Sequence, residues 1–83
     1  MTLSEDYEYF YTYQRKLNER LWTCAEKNDY ELIKTLLTPS NEFNNMIADL
    51  TALGLHDYTA LHFAADAGAA ESIEVILRLG EQV

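Results

Sequence analysis

Few side chains in this 83-residue sequence could act chemically, and their spacing decides what each can do. Two histidines, His56 and His62, could serve as metal ligands or bases, and one cysteine, Cys24, could serve as a nucleophile. Zinc sites need paired Cys-x-x-Cys or Cys/His spacings, and a lone cysteine rules these out. His62 falls one turn after Thr59, where an imidazole can bond back to the start of a helix. His56 falls at a turn. Cys24 stands where a small buried residue is expected, which favours packing over reactivity. Glu71, Glu74 and Glu81 surround Arg78 as a solvated face. The three glycines are not at dinucleotide or P-loop spacing, and no Gly-x-Ser-x-Gly, His-Glu-x-x-His or kinase element occurs. The sequence therefore does not read as an enzyme, and it offers no catalytic residue, metal site or cofactor motif.

The elements that hold these residues are helical. Thr59 can N-cap a helix through Ala60–Asp66, with Gly68 at the left-handed position that ends it. A second helix follows over Ser72–Leu79, where Glu74 and Arg78 form an i,i+4 pair and Gly80 provides the stop. Upstream, Leu17, Leu21, Cys24 and Ala25 line one face of a helix ending near Asn28. Asp29 can then cap a helix through Tyr30–Leu37, before Pro39. Very short connections make each pair an antiparallel hairpin. Residues 1–15 admit two patterns. Tyr7, Tyr9, Tyr11 and Tyr13 alternate as in a strand, whereas Leu3, Tyr7, Phe10, Gln14, Leu17, Leu21 and Cys24 follow helical spacing. The helix formers Glu5, Glu8, Gln14, Arg15 and Lys16 favour a helix continuous with the first hairpin, with Thr2 to Glu5 as its capping box. The Tyr-rich stretch is a less favoured candidate for docking or phosphorylation.

Charge and composition exclude several partners. Net charge is −8, and the basic residues Lys16, Arg20, Lys27 and Lys34 are interleaved with Glu19, Glu26, Asp29 and Glu31. With no basic stripe, nucleic acid and anionic membrane surfaces are unsuited as partners, and a neutral or basic protein is favoured. No apolar run reaches the roughly 18–20 residues of a membrane span. Glu5, Asp6 and Glu8 argue against a secretory signal, and the unpaired cysteine suits a reducing compartment, cytoplasmic or nuclear.

The hairpins repeat. Cys24-Ala25-x-x-Asn28-x-x-Glu31-x-Ile33-x-x-Leu36-Leu37 overlays Ala64-Ala65-x-x-Gly68-x-x-Glu71-x-Ile73-x-x-Ile76-Leu77 at a constant offset of 40, and Leu21 matches Leu61. This pattern resembles the ankyrin repeat. The second unit carries Thr59-Ala60-Leu61-His62, then Ala64-Ala65, Gly68, Glu71, Ile76-Leu77 and Gly80, and Ala48–Gly54 looks like the hairpin that precedes such a unit. Ala60 replaces the usual proline and Asp57 stands where glycine is common, which suggests a strained turn. The first unit lacks the Thr-x-Leu-His box, as an N-terminal capping repeat would. Its offset exceeds the family's roughly 33-residue period. The excess, seven residues, falls in Thr38–Ile47, where Phe43, Met46 and Ile47 suggest an extra helical turn.

The resemblance implies an all-α solenoid of stacked antiparallel helical hairpins. Its expected parts are an aromatic N-terminal capping helix (1–15), a first capping repeat (16–55, insertion at 38–47) and a truncated second repeat (56–83). It also implies an adaptor or scaffold that binds a protein on a concave surface of hairpin tips and first-helix faces. That selects Leu55, His56, Tyr58, Asp66 and Ala67, with Glu26 and Lys27 at the matching first-unit positions, and Tyr58 as the exposed aromatic anchor. Stable stacks need about three such units. With fewer than two here, either a longer protein or another surface completes the core. The alternative role is assembly, through the aromatic N-terminal helix and the uncapped C-terminal helices, in a homodimer or within a larger regulatory protein.

Overall fold

A computed structural model describes residues 3–39 and 46–80. Its described residues form four α-helices and no strand: α1 (Leu3–Lys27), α2 (Tyr30–Leu36), α3 (Ala60–Ala67) and α4 (Ala70–Gly80). The protein is all-α. The expected Thr2 cap lies outside the described residues, as does most of the expected helical turn in Thr38–Ile47, including Phe43. Thr38, Pro39, Met46 and Ile47 are described and are not helical.

The N-terminal stretch follows the helical pattern and not the strand alternation. It runs unbroken into the first hairpin, so α1 is one helix of 25 residues with no break at position 15. Each helix end has a local cause. Asn28 takes φ 58° and closes α1, with the Asp29 N–H donating to the Cys24 carbonyl (2.9 Å). The Asp29 carboxylate accepts from the Leu32 N–H (3.3 Å) and opens α2. Thr59 and His62 form a reciprocal capping box that opens α3. Gly68, at φ 69°, closes α3, and the Ala69 N–H donates to the Ala64 carbonyl (2.9 Å). The C-terminal helix starts at Ala70, two residues before expectation, and includes Gly80.

The hairpins α1–α2 and α3–α4 pack as two layers, α1 against α3 and α2 against α4. The core between them is formed by Leu17, Leu21, Cys24, Ile33, Leu36, Phe63 and Ile76, together with Ala25, Ala60 and Ala64, which are fully buried. Alanine at these three sites lets α1 and α3 approach closely. The long connection after α2 is fastened to the layers by polar contacts. The Ala48 N–H donates to the Leu36 carbonyl (2.9 Å), Gln14 Nε2 donates to the Ile47 carbonyl (2.9 Å), and Asn18 Oδ1 accepts from the Asp49 N–H (2.8 Å).

One polar joint ties the hairpins together. Asn28 Oδ1 accepts from both the Ser72 N–H (3.1 Å) and the Ser72 hydroxyl (2.8 Å), and Asn28 Nδ2 donates to Glu71 (2.7 Å). Ser72 is completely buried. The side chain that ends α1 therefore also satisfies an orphan N–H in the first turn of α4. Its hydrogen bond to Glu71, aided by a backbone N–H, holds that carboxyl below the usual range, against a smaller opposing effect of desolvation.

Two outcomes are expected. Asn28→Gly keeps the left-handed backbone but strands the buried Ser72 groups, and should destabilise the fold by about 1–3 kcal/mol in denaturant unfolding. Because folding lowers the pKa of Glu71, ionised Glu71 favours the folded state. That contribution is complete above the ordinary carboxylate range and is lost as pH falls through the depressed value. In melts at decreasing pH, the stability gap between the native chain and Glu71→Ala should therefore be largest near neutrality and shrink in acid.

Candidate interaction surface

The expected binding residues fall into two groups. Leu55, His56 and Tyr58 lie at the turn that leads into α3, whereas Asp66 and Ala67 lie at its far end, about 12 Å away at 1.5 Å rise per residue. Glu26 and Lys27 occupy the last turn of α1, the helix packed against α3. All except Tyr58 are exposed, and Leu55 is the most exposed large apolar residue among those described, at 72%.

The tip is tight. The Gly54 N–H donates to the Tyr58 carbonyl (2.8 Å), and the Asp57 N–H to the Gly54 carbonyl (3.1 Å). His56 and Asp57 both take positive φ, at 61° and 57°. Two successive non-glycine residues in the left-handed region store strain of order 1 kcal/mol each. The strain expected at Asp57 is therefore present and extends to His56.

Tyr58 departs from its expected exposure. It is half-buried and packs against the core, stacking on His62 (centroids 5.4 Å, 29°) and meeting Phe63 edge-on (5.4 Å, 66°). His56 approaches its ring from outside (5.9 Å). Phe63 in turn lies 6.2 Å from Trp22. An aromatic series thus runs from the exposed tip to α1. Helical spacing could place Phe63 on the inward face, but it gave no signal that Trp22 and Tyr58 would meet it from opposite sides.

Trp22 is the main residue that sequence reasoning passed over. Its indole lies flat against Gly54, where an added Cβ would come within 2.9 Å of the ring, and its Nε1 is buried without a partner among the described residues. Glycine at position 54 is thus required by close approach and not by backbone conformation.

The remaining candidates make contacts within the fold. His62 Nδ1 accepts from the Thr59 backbone N–H (3.2 Å) and lies 2.8 Å from the Thr59 hydroxyl, so the opposite nitrogen carries the proton. Cys24 is buried, and desolvation, with Asp29 nearby, pushes its thiol pKa up, away from the reactive thiolate. Glu74 pairs with Arg78 (2.8 Å), both exposed. Among the described residues no three His, Cys, Asp or Glu side chains converge on a metal position, and no helix is long and apolar enough to cross a membrane. Comparison with known proteins finds no matching family model, curated protein or solved structure.

Tyr58→Ala should cost about 2 kcal/mol through lost ring contacts and burial, lowering the melting temperature by on the order of 10 °C. Gly54→Ala should destabilise by about 1–3 kcal/mol, because the rigid indole must move. Trp22 fluorescence, followed through thermal unfolding of both variants, reports each effect directly.

Proposed function

We propose that this chain is a protein-interaction module of ankyrin type: a capping unit and a second unit that bind a neutral or basic partner protein along hairpin tips and first-helix faces. The observation that carries the reading is the equivalence of backbone geometry at an offset of 40. Asn28 and Gly68 share left-handed φ, and the bonds Asp29→Cys24 and Ala69→Ala64 have equal lengths of 2.9 Å. The first bonds of the second helices also correspond in position, Ile33→Asp29 (3.1 Å) and Ile73→Ala69 (2.9 Å). A sequence repeat that is also a repeat of dihedral angles and hydrogen bonds supports stacked units. The role is binding and not catalysis, and the free, buried Cys24 suits a reducing cytoplasmic or nuclear setting.

A second reading, assembly through the C-terminal face, is favoured by a different observation. Leu21, Ala25 and Ile33 are fully buried and Leu37 is 9% exposed, all under the second hairpin. Their counterparts are more open: Leu61 and Ile73 are half-buried, Ala65 is exposed and Leu77 is 50% exposed. The second unit presents an apolar face of the kind that the first unit has covered.

Photo-crosslinking separates the two. Under the binding reading, a photoreactive residue replacing Asp66, Glu26 or Leu55 gives heterologous adducts in cells, whereas one replacing Lys34 on α2 does not. Adducts from Lys34 alone, or from none of these positions, would overturn that surface. Under the assembly reading, sedimentation shows self-association that rises with concentration and is abolished by Leu77→Glu. A helical monomer at every concentration would exclude a homodimer.

A further inference from the structure

Among the described residues four large apolar side chains are markedly exposed, and three of them, Tyr11, Leu53 and Leu55, line one open cleft. The cleft lies between α1 and the extended segment before the tip, has a volume of about 410 Å³, and is also lined by Trp22. Its formation follows from the fold. The α1 helix begins 16 residues before Glu19, which the offset of 40 equates with Thr59 at the start of α3. The added helix therefore passes beside the connecting segment, held there by the bonds from Gln14 to Ile47 and from Asn18 to Asp49. The Trp22 ring, seated on Gly54, fixes the position of the segment against the helix.

The charges around the cleft select its occupant. Among the described residues Arg15 is the one cation lining it, and its guanidinium is already engaged by Glu19 (3.1 Å). Glu19 lines the cleft too, exposed Asp57 stands two residues beyond Leu55, and the whole chain carries −8. A second copy would bring the same excess of negative charge, and nucleic acid or an acidic peptide would be repelled.

We propose that this cleft is a docking site for a short basic segment of another protein, which inserts a large apolar side chain between Tyr11 and the Leu53–Leu55 wall and sets Lys or Arg against the acidic surroundings. The proposal rests on the interaction-module reading and names the partner chemistry. It adds a surface made by the N-terminal extension of α1, which the concave positions Glu26 and Asp66 do not share.

The test is selection from a random peptide library displayed on phage, using the full 83-residue chain as bait. Binding of the enriched synthetic peptides is then measured against four variants. Enriched sequences should carry an apolar anchor flanked by Lys or Arg. Their affinity should fall at least tenfold for Leu53→Ser and for Leu55→Ser, and should fall as salt is raised. Arg15→Gln, which removes a repelling cation, should bind them at least as tightly as the native chain. Both leucines are exposed, so unchanged melting curves verify that the fold is intact. Peptides that bind these variants as the native chain does but lose affinity for Asp66→Lys would overturn the cleft while leaving the concave reading standing. Acidic or uncharged enriched sequences, or weakening by Arg15→Gln, would overturn the partner chemistry. No enrichment on any surface would remove the cleft and count against the module reading as well.

Discussion

The structure depends on the joint at Asn28. A left-handed residue is needed there to reverse the chain between α1 and α2, and glycine would serve that purpose alone. Asparagine tolerates the same conformation and brings an amide that reaches across to the second hairpin, where it accepts from Ser72 and donates to Glu71. One side chain thus ends a helix, helps to start another and sets the distance between two layers. Ser72 can be fully buried because its hydroxyl and its backbone N–H share this acceptor. The alanine contacts between α1 and α3 hold the other layer at a compatible spacing.

The two hairpins are similar in backbone and different in surroundings. In the first, Leu21, Ala25, Ile33 and Leu37 are closed over by the second. In the second, equivalent residues remain partly open, and Gly68 supplies the left-handed turn without a side chain to reach farther. The chain is consequently polarised: an acidic exterior, an aromatic tip strained at His56 and Asp57, and apolar surface at the cleft and at the C-terminal face. Acidity and exposed leucine at the same site are informative together. The charge disfavours self-contact while the leucines favour contact of some kind.

Local physics made much of this legible in the sequence. The caps at Asp29 and Thr59, the left-handed positions at Asn28 and Gly68, and the helical character of all four segments follow from residue types a few positions apart. The repeat added the pairing of the hairpins, through small residues at matched positions. Contacts between distant residues were not legible. Asn28 and Ser72 are 44 positions apart, and nothing in either neighbourhood marks them as partners. Tyr58 was expected as an exposed anchor from the family resemblance, yet Phe63 and His62, one helical turn on, fold its ring inward. Trp22 attracted no expectation because its partner is the absence of a side chain at Gly54.

The continuity of α1 has a mechanical consequence. Between Leu3 and Lys27 there is neither glycine nor proline, so the helix has no hinge. Tyr11 at the cleft and Asn28 at the joint are about 25 Å apart on one stiff rod. Gln14 and Asn18, bonded to the connecting segment, act as its bearing. Along the same rod, between that bearing and Asn28, Leu17, Leu21, Cys24 and Ala25 are buried against the second hairpin, so cleft, packing seam and joint share one rigid element.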